Sequence, residues 1–167
     1  GIEKQDQKII EEAVRWRKGI VLAVNKWDLI EKETNTAKEY EKNVRDKAGS
    51  IDFFPVIFIS ALTKQRIYKL IDLCITISDD RKRKILTSEL NEVLLPEISR
   101  NPPASTHTGK EVKIKYITQV GDHYPIFLFF TNYPKEVQEH YKRFLEKLIR
   151  KKFGFNGVPI TLSFKEK

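Results

Sequence analysis

Two short apolar runs decide what the front of this chain can fold into. Ile20–Val24 and Val56–Ile59 are almost unbroken hydrophobic stretches, with a polar helical pattern over 36–47 between them. Runs of that length suit strands buried on both faces, as in a parallel sheet. Helical spacing flanks the pair. It covers 3–18, through Ile9, Ile10, Ala13, Val14 and Trp16 with Gly19 as the stop. It returns over 65–79, through Ile67, Leu70, Ile71, Cys74 and Ile75. The order helix, strand, helix, strand, helix predicts an α/β unit. Two strands leave both edges bare, so more strands are expected ahead of Gly1. The absence of methionine fits Gly1 being a cut point within a longer protein.

The second half follows a different order. Thr87 is placed to cap a helix running to about Ile98 on the apolar face of Leu90, Val93, Leu94 and Ile98, and Asn101-Pro102-Pro103 ends it. Val112, Ile114, Tyr116 and Thr118 alternate with Lys113, Lys115, Ile117 and Gln119 in a first strand, and Ile126–Phe130 reads as the central one. Ile160, Leu162 and Phe164 mark the last strand. Before it lies a helix opened by Pro134, carried by Val137, Tyr141, Phe144, Leu145 and Leu148, and closed by Gly154. The pattern α-β-β-α-β predicts an α+β unit with helices on one face of a three-stranded sheet. Phe127, Phe129, Phe130 and Phe144 fall in core patterns.

Charge separates the two halves. Residues 1–80 hold 14 Lys+Arg against 14 Asp+Glu, whereas 81–167 hold 17 against 9, so the whole net charge of +8 sits in the second half. A neutral half suits a small ligand and a basic half suits a polyanion. The basic side chains are the junction run Arg81-Lys82-Arg83-Lys84, then Lys113 and Lys115 on one strand face, then Lys142, Arg143, Lys147, Arg150, Lys151 and Lys152 on the last helix. A solvated helix end and an RNA contact are both open readings for them. Cys74 is the only cysteine; it excludes an intrachain disulfide and reads as a small buried hydrophobe. There is no Cys/His grouping with zinc spacing. His107, His123 and His140 have no evident partners. No apolar run is long enough to span a membrane, and a reducing cytoplasm is expected.

The chemistry lies just beyond the two apolar runs. Asn25-Lys26-Trp27-Asp28 follows the first and Ser60-Ala61-Leu62 the second. Ligands of open α/β sheets bind beyond the carboxyl ends of strands. A carboxylate such as Asp28 accepts from both the ring N1–H and the exocyclic amine of guanine. Adenine offers a bare acceptor there, so Asp28 would be left unpaired, at roughly 1–3 kcal/mol. Asn25 can tie neighbouring loops together, the stem of Lys26 can lie along the base, and the small Ala61 lets a backbone N–H approach the guanine oxygen.

The same residues resemble the base-recognition elements of translation-factor-type GTPases. Together with Glu3-Lys4-Gln5-Asp6, Ser88-Glu89-Leu90-Asn91, Tyr116-Ile117-Thr118-Gln119 and Phe153-Gly154-Phe155-Asn156-Gly157-Val158-Pro159-Ile160, the chain resembles the Der (EngA) family of bacterial GTPases along its whole length. That resemblance implies residues 1–80 as the latter part of the second, Era-type P-loop GTPase domain and 81–167 as a KH-like domain. It implies GTP or GDP with magnesium in the parent protein. It also implies partnership with the large ribosomal subunit, its RNA and the first GTPase domain of the same protein. The alternative is a stand-alone RNA-binding or docking module.

Two departures qualify the expectation. The sequence has no Gly-x-x-x-x-Gly-Lys-Ser/Thr phosphate loop and no Asp-x-x-Gly switch element, the parts that hold phosphates, metal and water. No catalytic or metal-ligating residue is assigned, and the isolated chain is expected neither to hydrolyse GTP nor to bind it tightly. The Gly154-Phe155-Asn156-Gly157 match to a KH-type Gly-x-x-Gly loop has no second helix after it. It is expected to serve as a turn, with Gly154 closing the helix and Gly157 entering the strand.

Overall fold

The computed structural model describes residues 2–31, 35–49, 51 and 53–166; Gly1, the expected cut point, lies outside them. Clustering of contacts divides the chain into two units. The first is Gly1–Arg81 with Asn156–Pro159, and the second is Lys82–Phe155 with Ile160–Lys167.

The first unit runs α1 (Lys4–Arg15), β1 (Leu22–Val24), α2 (Thr36–Ala48), β2 (Val56–Phe58) and α3 (Ile67–Lys82). Strands β1 and β2 pair in parallel, Leu22 with Val56 and Val24 with Phe58, as the α/β order predicts. A capping box starts α1: the Glu3 side chain accepts from the Asp6 backbone and Asp6 Oδ2 accepts from Glu3 N–H at 2.9 Å. The helix ends at Arg15, earlier than Gly19, because Arg17 itself takes a left-handed turn at φ 54°. Its apolar stripe is narrower than expected. Ile10 joins Ile2, Ile20, Val44 and Phe54 in the core, while Ile9 and Trp16 stay exposed. Each fully buried side chain of this size contributes roughly 1.5–3 kcal/mol.

Two expectations for this unit need correction. Ala23 in β1 is exposed, so that strand is not covered on both faces. Cys74 is exposed as well. Both line a groove of about 560 Å³ beside Gly19, Val21, Leu70 and Ile77, between the bare edge of β1 and α3.

The second unit runs α4 (Thr87–Arg100), β3 (Ile114–Val120), β4 (Ile126–Thr131), α5 (Glu139–Phe153) and β5 (Thr161–Glu166). The sheet order is β3-β4-β5, with β3 antiparallel and β5 parallel to the central β4. This is the expected α-β-β-α-β. Alternate residues of β4 are buried, Phe127 and Phe129 completely. Phe127 meets the Phe155 ring edge-to-face at 5.7 Å and Phe129 stacks on Phe164 at 5.2 Å. Leu90 and Leu94 of α4 and Leu145 and Ile149 of α5 are buried as well. Phe130 is only half-buried and pairs with Tyr116, so it is not a core residue. Phe144 is also half-buried.

Local chemistry moves several boundaries. A register shift between Ile114 and Tyr116 changes the phase of β3, which buries Ile117 and leaves Tyr116 exposed. Lys113 precedes the strand, so Lys113 and Lys115 do not share a strand face. Thr87 is the first residue of α4 and not its cap; its hydroxyl is engaged by that of Thr118 at 2.9 Å. Pro134–Glu136 forms a separate 3-10 turn, and Val137 follows in extended backbone with its side chain buried. Helix α5 therefore starts only at Glu139. His107 lies 3.6 Å from Glu136, so it does have a carboxylate neighbour. Gly154 closes α5 at φ 86° as expected. Gly157 does not enter β5, which begins four residues later and in the other unit.

The sequence strings at 88–91 and 116–119 meet in space. Asn91 Oδ1 accepts the Ile117 N–H at 2.9 Å and Asn91 Nδ2 donates to the Ile117 carbonyl at 2.7 Å. Gln119 accepts from Ile85 N–H and donates to the Arg83 carbonyl, both at 2.8 Å. Asn91 thus completes backbone groups that the edge strand β3 leaves open, and Gln119 of β3 completes those of the segment leading into α4.

Candidate guanine-reading loops

Both candidate loops leave the carboxyl ends of paired parallel strands. After Val24, Asn25 is followed by Lys26 in the left-handed region (φ 62°, ψ 33°), which turns the chain sharply into a 3-10 turn at Trp27–Leu29. After Phe58, Ile59 and Ser60 continue inward, and Ser60 is fully buried.

Two hydrogen bonds join the loops, and a third braces the first loop from within. Asn25 Oδ1 accepts from its neighbour Lys26 N–H at 2.8 Å and from Ala61 N–H at 3.0 Å. Trp27 N–H donates to the Ile59 carbonyl at 3.0 Å. Trp27 is 3% exposed, lies against Phe58 at 4.2 Å between ring centroids and takes the edge of Tyr40 at 5.4 Å. The indole is therefore the wedge that holds the first loop down, a role the sequence reading did not give it. Its signal was an aromatic residue beside charged ones at the end of a buried strand.

The second loop closes on itself. Ser60 N–H donates to Gln65 O at 3.2 Å and Ser60 Oγ accepts from Thr63 N–H at 3.1 Å. Arg66 reaches back to the Phe58 carbonyl at 3.2 Å. Lys64 and Arg66 both adopt positive φ, a strained choice that persists only where surrounding structure holds it. Leu62 is 85% exposed.

Asp28 carries the sharpest electrostatic feature. Its Oδ1 is buried without a hydrogen-bond partner. An orphaned acceptor of this kind costs roughly 1–3 kcal/mol until a donor reaches it. The residues present thus fit a ligand that brings N–H donors to Asp28.

Several of the basic candidates are engaged within the protein. Arg81 and Lys82 end α3, and the Arg81 Nε is buried without a partner. Arg83 donates to the Phe153 carbonyl and lies 4.3 Å over the Phe155 ring. Lys84 donates to the Gly121 carbonyl. Lys113 pairs with Glu111 at 3.0 Å, Lys142 with Glu139 at 2.6 Å and Lys152 with Glu97 at 2.8 Å. Arg150 is engaged by Glu146 at 2.9 Å and the Phe155 carbonyl at 2.6 Å. Lys115, Arg143 and Lys147 are exposed. The Lys152 hydrogen bond holds the Glu97 carboxyl below its ordinary range, and the Lys142 hydrogen bond does the same for Glu139. Among the described residues there is no acidic, His or Cys cluster fit for a metal, and no helix long and apolar enough to cross a membrane.

Known proteins match both parts. A model described as the elongation factor Tu GTP-binding domain covers residues 1–80. Another, described as the KH-domain-like region of EngA bacterial GTPase enzymes, C-terminal, covers 84–165. "GTPase Der" of Chlorobium phaeobacteroides is 53% identical over all 167 residues, and those of Chlorobium limicola and Chloroherpeton thalassium are 52% and 50% identical. The chain spans 38% of the length of each of these curated relatives. A structure of Era in complex with MgGDPNP and a segment of 16S ribosomal RNA aligns with all of this chain and 61% of that one, at 20% identity and a TM-score of 0.37. That likeness is too slight to carry an argument. Identity near one half along the full chain, with the Asn25–Asp28 and Ser60–Leu62 loops in place, assigns the chain to the GTPase Der (EngA) family.

Proposed function

We propose that Asn25, Lys26, Asp28, Ser60, Ala61 and Leu62 read the guanine base in a GTP-binding protein acting in biogenesis of the large ribosomal subunit. The orphaned Asp28 oxygen carries this reading. It lies on a loop tied to Ala61 by Asn25, which already takes the Ala61 N–H, so the joined loops present an acceptor for the guanine N–H groups. Preorganised donors and acceptors discriminate because the wrong base leaves them unpaired. In the same reading, 1–80 is the latter part of an Era-type GTPase domain and 81–167 a KH-like domain. The parent protein hydrolyses GTP with magnesium in the cytoplasm, and this chain alone is inactive because it lacks the phosphate loop.

The test uses a chain extended to the length of the relatives. Asp28→Asn turns an acceptor into a donor, so preference shifts from guanine to xanthine nucleotides, since xanthine presents an oxygen where guanine has its amine. Unchanged GTP affinity in that variant rules the reading out. For this chain alone, calorimetry is expected to show no micromolar GDP binding.

Contact with ribosomal RNA through the basic half is the second part of the proposal. It rests on the exposed Lys115, Arg143 and Lys147; Lys84, Lys113, Lys142 and Arg150 are already engaged within the protein. Binding that weakens steeply with salt and falls in a Lys115, Arg143, Lys147 triple-Ala variant supports RNA. Undetectable RNA binding at low salt favours docking on the first GTPase domain of the parent.

A further inference from the structure

The first unit is not built from residues 1–81 alone, because Asn156–Pro159 belongs to it. The Gly157 carbonyl accepts from Ile20 N–H at 2.8 Å, and the Gly157 N–H donates to the Phe53 carbonyl at 2.7 Å. Ile20 lies two residues before β1 and Phe53 three before β2. One peptide segment from far along the sequence therefore bridges the amino ends of both strands, one step beyond the Leu22–Val56 pair.

Only glycine fits at this place. Gly157 has φ 78°, and a Cβ there would lie 2.6 Å from the Ile20 carbonyl oxygen and 2.4 Å from Ile77 Cδ1. The isoleucine tip can move; the backbone oxygen cannot without breaking the pairing it sits beside. Val158 and Pro159 continue the segment and are buried. No turn between α5 and β5 requires this close approach. Gly154 already closes the helix with its own left-handed φ of 86°, and around it the nearest atom to a built Cβ is Arg83 Nη2 at 3.8 Å.

The bridge matters because the strands it joins are so short. β1 and β2 pair over three residues each, and an isolated two-stranded pair is marginal. At their carboxyl ends the same two strands hold the loops of Asn25 and Ser60. From Ile20 to Asn25 is only about 16 Å of extended chain, and short stretches of this kind open as cooperative units.

We propose that Gly157 is a positioning residue for the base-reading loops: its bridge at one end of β1 and β2 sets the pairing that holds Asn25 against Ala61 at the other. Displacing residues 156–159 therefore loosens the base-reading loops, which makes this segment the point where an event elsewhere in the chain can adjust nucleotide grip. The functional half of this inference rests on the proposed guanine role. Its test reads backbone opening and no nucleotide, so the two fail separately.

The experiment is amide hydrogen exchange followed by NMR on the 167-residue chain. In Gly157→Ala, exchange at Ile20, Trp27 and Ala61 is expected to accelerate at least tenfold, while Val44 inside α2 keeps its protection. Gly154→Ala imposes a similar φ strain without the close approach and is expected to leave those three amides unchanged. Equal acceleration at Val44, or the same response to Gly154→Ala, would reduce Gly157 to a general stability residue and overturn the proposal. If Gly157→Ala does not fold, the wild-type chain decides. With low denaturant added, the Gly157, Ile20, Trp27 and Ala61 amides are expected to converge on one opening free energy. Opening of Gly157 while Ala61 stays protected overturns the coupling.

Discussion

Asn25 and Ala61, thirty-six residues apart, are joined by a 3.0 Å hydrogen bond from the Ala61 N–H to the Asn25 side-chain oxygen. The same oxygen accepts from Lys26 N–H, so one side chain fixes the departure of both loops. Asn25→Ala removes the shared acceptor and leaves two backbone donors unpaired. Guanine-nucleotide affinity of the length-extended protein is expected to fall roughly tenfold to a hundredfold. Asn25→Asp retains an acceptor oxygen and is expected to keep the Ala61 amide protected from exchange. A loss of that protection in Asn25→Asp as large as in Asn25→Ala shows that the oxygen is not the tie.

Asn91 performs the matching task in the second unit, where its amide pairs with both backbone groups of Ile117. Ile117 is fully buried, so unpaired groups beside it are expensive. Asn91→Leu keeps the volume and removes the pairing. It is expected to lower stability by about 2 kcal/mol and the unfolding temperature of the second unit by several degrees. Calorimetry on the whole chain checks this, with Trp fluorescence as the control because both tryptophans lie in the first unit.

These two side chains show what the sequence could and could not disclose. The alternation of element types was legible because apolar patterning reports burial directly: Ile126–Phe130 of β4 is an unbroken apolar run, and α5 buries Tyr141, Leu145, Leu148 and Ile149 at helical spacing. The phase of β3 was not, since a single register shift near Lys115 exchanges which residues face the core. The start of α4 was misread because Thr87, a good capping residue by type, is held by Thr118, thirty-one positions away. The loop motifs were legible as chemistry. The wedge of Trp27 between Phe58 and Tyr40 and the bridge through Gly157 depend on contacts between distant segments, and composition leaves no trace of those.

Cys74 offers a direct check on the groove beside β1. The thiol is exposed and sits on α3 near the uncovered Ala23. In the native 167-residue chain it is expected to react with a disulfide reagent within minutes, without denaturant, and Cys74→Ser is expected to change stability by less than about 0.5 kcal/mol. A thiol that reacts only after unfolding contradicts the exposure. In a length-extended protein, slower labelling is expected if added strands pair with the bare edge of β1.

Tyr141 sets an alkaline limit on the second unit. Its hydroxyl donates to the Asn101 carbonyl at 2.7 Å, and burial pushes its pKa up to about 12 from an ordinary value of 10. The native state therefore keeps its phenolic proton at a pH where the unfolded chain gives it up. The stabilising contribution is whole below pH 10 and is lost as the pH rises from 10 towards 12. The acid side has the opposite sign. Lys152 and Lys142 depress Glu97 and Glu139, so their contribution is present above the ordinary carboxyl value of 4.5 and fades as the pH falls below it. Both carboxylates face water, and added salt is expected to weaken that acid limb. Tyr141→Phe separates the two limbs, because it removes the titrating group while keeping the ring against Phe144. The variant is expected to be less stable at neutral pH through loss of the Asn101 hydrogen bond, yet to show a flatter decline above pH 10. Urea unfolding at a series of pH values measures both, and an unchanged alkaline slope in Tyr141→Phe assigns that limb to other groups.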